Sequence, residues 1–203
     1  MNVKTHWEHV YETKSADEVS WYRQHLDVSL DLITNAVGNR DARIVDVGGG
    51  EATLVDDLLA VGYRRVDVLD LSEKALRVAK DRLGEAANSV GWLCGDVTTY
   101  PFEANQYDLW HDRAVFHFLT EPTQRQDYVR QVIRAVKAGS HVIVATFGPE
   151  GPNKCSGLDV VRYDADTLHD QFGPRFELVE HRVEEHRTPS GARQQFVYCM
   201  CRT

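Results

Sequence analysis

The stretch RIVDVGGGEATLVDDLL, residues 43–59, decides how the chain is read. A β-rich run ends in Asp46 and Val47, three glycines follow, and a helical period opens at once. Glycine weakens strands and helices alike, so three of them at the joint point to a backbone that something approaches closely. One glycine suffices for a tight turn. Three directly after an apolar strand imply a cofactor loop. The helix ATLVDDLLAVG closes on Gly62 as a C-cap.

The same alternation continues outward. VDVLDLS reads as a strand, with Ser72 capping a helix over 73–83. VGWLCGD and YDLWHDR are further strands, TQRQDYVRQVIRAVKAG is a helix and HVIVATF a fifth strand. Strands alternating with helices of about a dozen residues define βαβ units and a parallel sheet. FELVEHRVEEHRT and QQFVYCMCR, separated by Pro-Ser-Gly-Ala, break the rhythm and read as an antiparallel hairpin. Before the first strand, Trp7, Val10 and Tyr11 form one apolar helical stripe, and Leu30, Ile33 and Val37 another, with a stop at residues 39–41. The expected fold is α/β: a Rossmann-like, seven-stranded, mostly parallel sheet with an antiparallel C-terminal hairpin and helices on both faces.

Composition narrows the function. A length of 203 residues suits one domain. The net charge of −8 argues against a nucleic-acid partner. No apolar run is long enough to span a bilayer, and the N-terminus has no signal core, so a cytoplasmic chain without a membrane partner is expected. Cys94, Cys155, Cys199 and Cys201 lack C-x-x-C or zinc spacing, so no metal is expected and the thiols read as free.

The glycine register separates two cofactor classes. In the dinucleotide fingerprint G-x-G-x-x-G, the third glycine falls where Thr53 stands. Asp70, ending the second strand, suits ribose hydroxyls in either class. Asp46 is unwelcome beside a pyrophosphate but useful to an ammonium group, and Asp96 can accept from an adenine amino group.

Together VDVGGGEATL, DLS, GDV and YDLWHDRAVFHFL resemble the ordered motifs of class I S-adenosylmethionine-dependent methyltransferases, over roughly residues 40–147. The resemblance implies a methyl-donor site for S-adenosyl-L-methionine, with S-adenosyl-L-homocysteine as product. In it Asp46, Gly48, Gly49 and Gly50 lie along the methionine part, and Asp70 takes the ribose. Leu71 packs on adenine, Asp96 and Val97 hold the adenine edge, and His111 borders the methionine moiety. GGG replaces the commoner G-C-G or G-T-G. WEHVY and SWY resemble the N-terminal lid of thiopurine methyltransferase-like enzymes and of some small protein-lysine methyltransferases. The resemblance thus divides a single domain, 1–203, into a lid (1–40), a cofactor core (41–147) and a substrate loop with terminal hairpin (148–203).

Methyl transfer from a sulfonium is an in-line displacement that asks mainly for alignment and dryness. A small-molecule acceptor is expected, with protein lysine or an inactive cofactor-binding scaffold as alternatives and a dehydrogenase as the remaining one. The fourth-strand motif is not the N-P-P-Y type that grips amide or exocyclic nitrogens. His111 is the candidate base or positioning group, His117 a core residue, and Asp112 and Arg113 a local ion pair. Trp7 and Tyr11 form a core stripe or wall the acceptor pocket; Trp21 and Tyr22 contact cofactor or substrate. The loop 147–163 supplies Phe147, Cys155, Arg162 and Tyr163 to the pocket. Cysteine-held metalloid chemistry is an alternative, but nothing in the sequence brings Cys155 to Cys199 and Cys201. A monomer or homodimer is expected.

Overall fold

A computed structural model describes residues 2–203. Its centre is β1 (Arg43–Val47), whose β-branched run is buried on both faces. β1 pairs in parallel with β2 (Arg65–Asp70) and with β4 (Tyr107–Arg113). β3 (Val90–Cys94) adds outside β2, and β5 (Val136–Phe147) outside β4, both parallel. The hairpin of β8 (Glu177–Arg187) and β9 (Arg193–Arg202) inserts β9 antiparallel against β5 and leaves β8 at the edge. The order β3-β2-β1-β4-β5-β9-β8 therefore reverses direction between β1 and β4. In such a sheet, ligands bind outside the carboxyl ends of the strands at that reversal.

Strand alternation splits the core into two layers. Ile44, Leu109, Ile143 and Tyr198 pack with α2 (Asp27–Ala36), α3 (Leu54–Ala60) and Leu76 of α4 (Glu73–Leu83). Val45, Trp110, Val144 and Cys199 pack with α5 (Pro122–Ala135) and α6 (Ala165–Asp170) on the other side. Caps follow the expected chemistry. The Ser72 hydroxyl accepts from Ala75 N, 3.1 Å, at the start of α4. Gly62, at φ +96°, closes α3 with Tyr63 N donating to Leu58 O and Gly62 N to Leu59 O, a Schellman end.

One local expectation is corrected, and two short features are added to the reading. The helix read through Gly139 stops at Ala135, because Asn105 N and Gln106 N take the carbonyls of Arg134 and Ala135, and Val136 joins the sheet opposite Tyr107. Within the 147–163 loop, β6 (Lys154–Cys155) and β7 (Leu158–Asp159) form a ribbon over a turn in which Ser156 and Gly157 both have positive φ. α6, too short for a visible hydrophobic period, starts at a capping box between Asp164 and Thr167.

Above the carboxyl ends lies α1 (Val3–Thr13), begun by Asn2, whose side chain accepts from Lys4 N. Glu8 ties it down, one carboxylate oxygen accepting from Ser72 Oγ and the other from Glu73 N, both at 2.9 Å. No helix among the described residues is long and apolar enough to cross a membrane.

Candidate active site

The glycine loop folds back on β2, with Gly48 N donating to Leu69 O at 2.7 Å. Gly48 and Gly50 have φ of +70° and +42°. The space each missing side chain leaves is taken up by the protein itself. A Cβ on Gly48 would lie 2.0 Å from Val115 Cγ2, and one on Gly49 2.6 Å from Asp46 Oδ2. One on Gly50 would lie 2.9 Å from Asp70 Oδ2 and 3.1 Å from the Tyr11 hydroxyl. The glycines let two carboxylates and the Tyr11 side chain of α1 pack against the loop.

Those carboxylates differ in their ties. Buried Asp46 accepts from His111 Nδ1 at 2.7 Å, and His111 Nε2 meets Ser29 Oγ at 2.9 Å. Both ring nitrogens of His111 are thereby engaged, and neither is free to take up a proton without disturbing a partner. Asp70 Oδ1 accepts from Ser72 N at 2.8 Å, while Oδ2 has no hydrogen-bond partner among the described residues. Burial, with Asp46 and Glu8 adding to it, pushes the Asp70 carboxyl up to about 7 against the opposing Ser72 amide. Burial, then Asp70, likewise raises the Tyr11 hydroxyl. Asp96 is exposed, and its Oδ1 accepts from Thr98 N and Oγ1.

Two cavities open at this end of the sheet. The larger, about 170 Å³, is bordered by Gly48, Asp70, Leu71, Asp96 and Val97 below, and by Trp7, Tyr11, Trp21 and Cys155 above. The smaller, about 40 Å³, is bordered by Asp46, Gly49, His111 and Tyr22. Tyr11, Trp21, Gly48 and Arg113 border both and form the partition. Gly50 lies behind Asp70 and Tyr11 and lines neither.

Three residues expected in the pocket lie elsewhere. Phe147 is fully buried between His117 and Phe196, ring centroids 4.5 and 4.9 Å away, because strand alternation turns it into the α2–α3 layer. Tyr163 packs in the opposite layer against Phe116. Arg162 braces its own loop, Nη1 donating to the carbonyls of Pro149 and Gly151. Nor do Asp112 and Arg113 pair, since neighbours on a strand point to opposite faces. Buried Asp112 accepts from Val115 N, Phe116 N and the Tyr128 hydroxyl. His117 is a core residue: Nδ1 accepts from Phe147 N, and burial, then Arg113, depresses the ring to about 3. Cys199 and Cys201 are buried in the layer opposite Cys155, and among the described residues no three His, Cys, Asp or Glu side chains cluster as a metal site.

Sequence reasoning missed the turn after β4. Ala114, Val115, Phe118 and Leu119 line the larger cavity, with Gln124 at the start of α5. Ala114 sits at φ +76°, held there by the Asp112 bonds to the amides that follow. A carboxylate two residues before a hydrophobic turn was the available signal.

Sheet order and switch-point loop together define a class I methyltransferase fold. Residues 44–139 match the family model described as a methyltransferase domain. Among curated relatives, the ubiquinone/menaquinone biosynthesis C-methyltransferase UbiE of Roseobacter denitrificans is 25% identical over 132 residues, 64% of this chain and 50% of that protein. The N-terminal Xaa-Pro-Lys N-methyltransferase 1 of Xenopus tropicalis is 31% identical over 90 residues, 43% of this chain and 39% of that protein. The chain thus spans about half or less of the curated relatives it matches. An S-adenosylmethionine-dependent methyltransferase structure from Methanosarcina mazei superposes with a TM-score of 0.70 at 17% identity, covering 85% of this chain and 96% of that one.

Proposed function

We propose that the chain binds S-adenosyl-L-methionine and transfers its methyl group to a small-molecule acceptor. The carrying observation is the cavity bordered by Trp7, Tyr11 and Trp21 of a segment latched by Glu8, beside a buried carboxylate with one unengaged oxygen. The donor set fits the cofactor: Asp70 Oδ2 offers an acceptor to ribose hydroxyls, Leu71 an apolar face to adenine, and Asp96 with Val97 its edge. Asp46 and the 48–50 loop take the aminoacyl end, with Trp21 and Tyr22 over it. When bound, the cofactor supplies an electrophilic methyl on a sulfonium.

The chain's own contribution is alignment and exclusion of water. Aromatic rings at centroid distances of 5.7 Å (Trp7–Trp21) and 5.0 Å (Trp7–Phe118) keep the acceptor end dry. Asp46 and Ser29 orient the His111 ring behind the loop, and no side chain is required as a base. The UbiE relatives, named for quinone biosynthesis, support a small acceptor. The 31% identical N-terminal Xaa-Pro-Lys N-methyltransferase favours a second reading, a protein amine as acceptor.

Calorimetric titration with S-adenosylmethionine and with NAD tests the cofactor; binding of NAD alone overturns the proposal. Radiolabelled transfer into a fractionated lysate then sorts acceptors: acid-soluble counts support the small molecule, acid-precipitable counts the protein reading, and no counts despite cofactor binding a scaffold. Asp70→Ala should weaken cofactor binding at least tenfold, as expected for loss of about 1.5–3 kcal/mol from a charged hydrogen bond. Unchanged affinity removes Asp70 from the site.

A further inference from the structure

Arg113 stands in the partition between the two cavities with its side chain only 5% exposed. It is held from three sides. Nε donates to the Tyr198 hydroxyl at 2.9 Å, Nη1 donates to Trp21 O at 3.2 Å, and the guanidinium lies 4.1 Å over the Phe196 ring. Nη2, however, is buried and makes no hydrogen bond. Glu184 Oε2 is 3.6 Å from it, beyond hydrogen-bond reach. That carboxylate is already shared: Arg23 Nη2 donates to Oε1 at 2.6 Å and the Tyr198 hydroxyl to Oε2 at 2.8 Å. Two guanidinium groups thus meet one carboxylate, and the cluster keeps a surplus positive charge at the cavity wall.

A buried N–H without an acceptor costs free energy, and a buried surplus charge costs more. A ligand oxygen arriving at the partition offsets the surplus charge, and the bracing from Tyr198, Trp21 and Phe196 means that little further ordering is needed when it does. Arg23 borders only the smaller cavity, beside Asp46 and Gly49, whereas Arg113 also borders the larger one, between Trp7, Trp21, Val115 and Phe118. Flat aromatic walls and one fixed guanidinium fork suit a ring that carries a carboxylate or similar oxyanion.

We infer that Arg113 is the specificity-determining residue for the acceptor, and that the acceptor is a flat, largely apolar molecule bearing an acidic oxygen group. This rests on the methyltransferase reading. Arg23 is left to the carboxylate of the donor.

The test uses the full chain saturated with S-adenosylhomocysteine, with 4-hydroxybenzoate and 4-hydroxybenzamide as a matched acid and neutral probe. Trp7 and Trp21 border the site, so quenching of tryptophan fluorescence reports occupancy. The wild type should hold the acid at least tenfold more tightly than the amide. Arg113→Leu should erase that preference while changing the affinity for S-adenosylhomocysteine less than threefold, and Arg113→Lys, which keeps the charge without the fork, should keep part of the preference. Equal affinity for the two probes, no binding of either, or discrimination surviving in Arg113→Leu overturns the inference. Loss of S-adenosylhomocysteine binding in that variant also overturns it, by assigning Arg113 to the donor. Failure of the wild type itself to bind S-adenosylhomocysteine removes the methyltransferase reading, a result separable from the others because it precedes any probe. Should Arg113→Leu not fold, the acid-to-amide ratio of the wild type and of Arg113→Lys decides alone.

Discussion

Gly48 is crowded although it has no side chain. Val115 Cγ2 occupies the position a Cβ would need, and the backbone is at φ +70°. The triple glycine therefore answers two demands at once: a left-handed turn out of β1, and contact with a valine 67 residues on in the chain. Gly48→Ala should cost about 2–5 kcal/mol, combining about 1–2 for the left-handed backbone with about 1–3 for overpacking. Trimming the neighbour removes only the second part. Gly48→Ala with Val115→Ala should therefore be more stable than the sum of the two single changes, by about 1 kcal/mol or more in a urea-melt double-mutant cycle. Strict additivity would show that Val115 does not press on Gly48. At this scale the sequence was half legible. Three glycines announced a close approach, but the partner that fills the space comes from a turn whose conformation is set by Asp112, with its carboxylate bonded to the amides of Val115 and Phe116.

Elements built from local signals were legible, and those built by distant contacts were not. β1, β2, β4 and the terminal hairpin follow from β-rich runs bounded by turn residues, and α4 from Ser72 and its apolar period. α5 ends earlier than its periodicity suggests because residues 105 and 106 capture its last carbonyls. Helix α1 is a mixed case. WEHVY reads as an amphipathic turn, but only the fold shows that Glu8, on its polar side, reaches the first turn of α4. A carboxylate at a helix N-terminus is favoured by both the unpaired amides and the dipole. Glu8→Ala should thus loosen α1 by about 1–2 kcal/mol, which accelerates amide exchange across Val3–Thr13 by about five- to thirtyfold. Exchange in β1 and β4 should not change. Unaltered exchange in α1 would mean that Trp7 and Tyr11, not the latch, hold the helix.

Across the whole molecule, buried ionisable groups pull stability in opposite directions with pH. Asp70 and Asp112 are both raised to about 7, burial being the first cause in each, whereas an unfolded aspartate titrates near 4. Between those values the folded chain binds more protons than the unfolded one, so these two groups lower stability as pH rises through the window. His117, depressed to about 3 by burial, acts the other way: from about 3 to about 6.5 the unfolded state binds the extra proton, and stability climbs with pH. The opposing slopes cancel in part up to about pH 6.5. Above it, of these three groups only the aspartates titrate, and their contribution should lower the melting temperature between about pH 6.5 and 8. Asp112 is explained by the turn it holds. Asp70 has one oxygen engaged by Ser72 and one left at the cavity, a charge that is costly in the empty fold and that the proposed function assigns to the donor ribose. Asp70→Asn keeps an acceptor for the Ser72 amide and cannot ionise. Its melting temperature should match the wild type near pH 5 and exceed it at pH 8, by about 2–4 °C for each kcal/mol recovered, while cofactor affinity at pH 8 falls at least tenfold. Paired melting curves and titrations at the two pH values check both halves. A variant that is less stable than wild type at pH 8, or as tight for S-adenosylmethionine, would show that the Asp70 charge is neither a burden on the fold nor a contact for the donor.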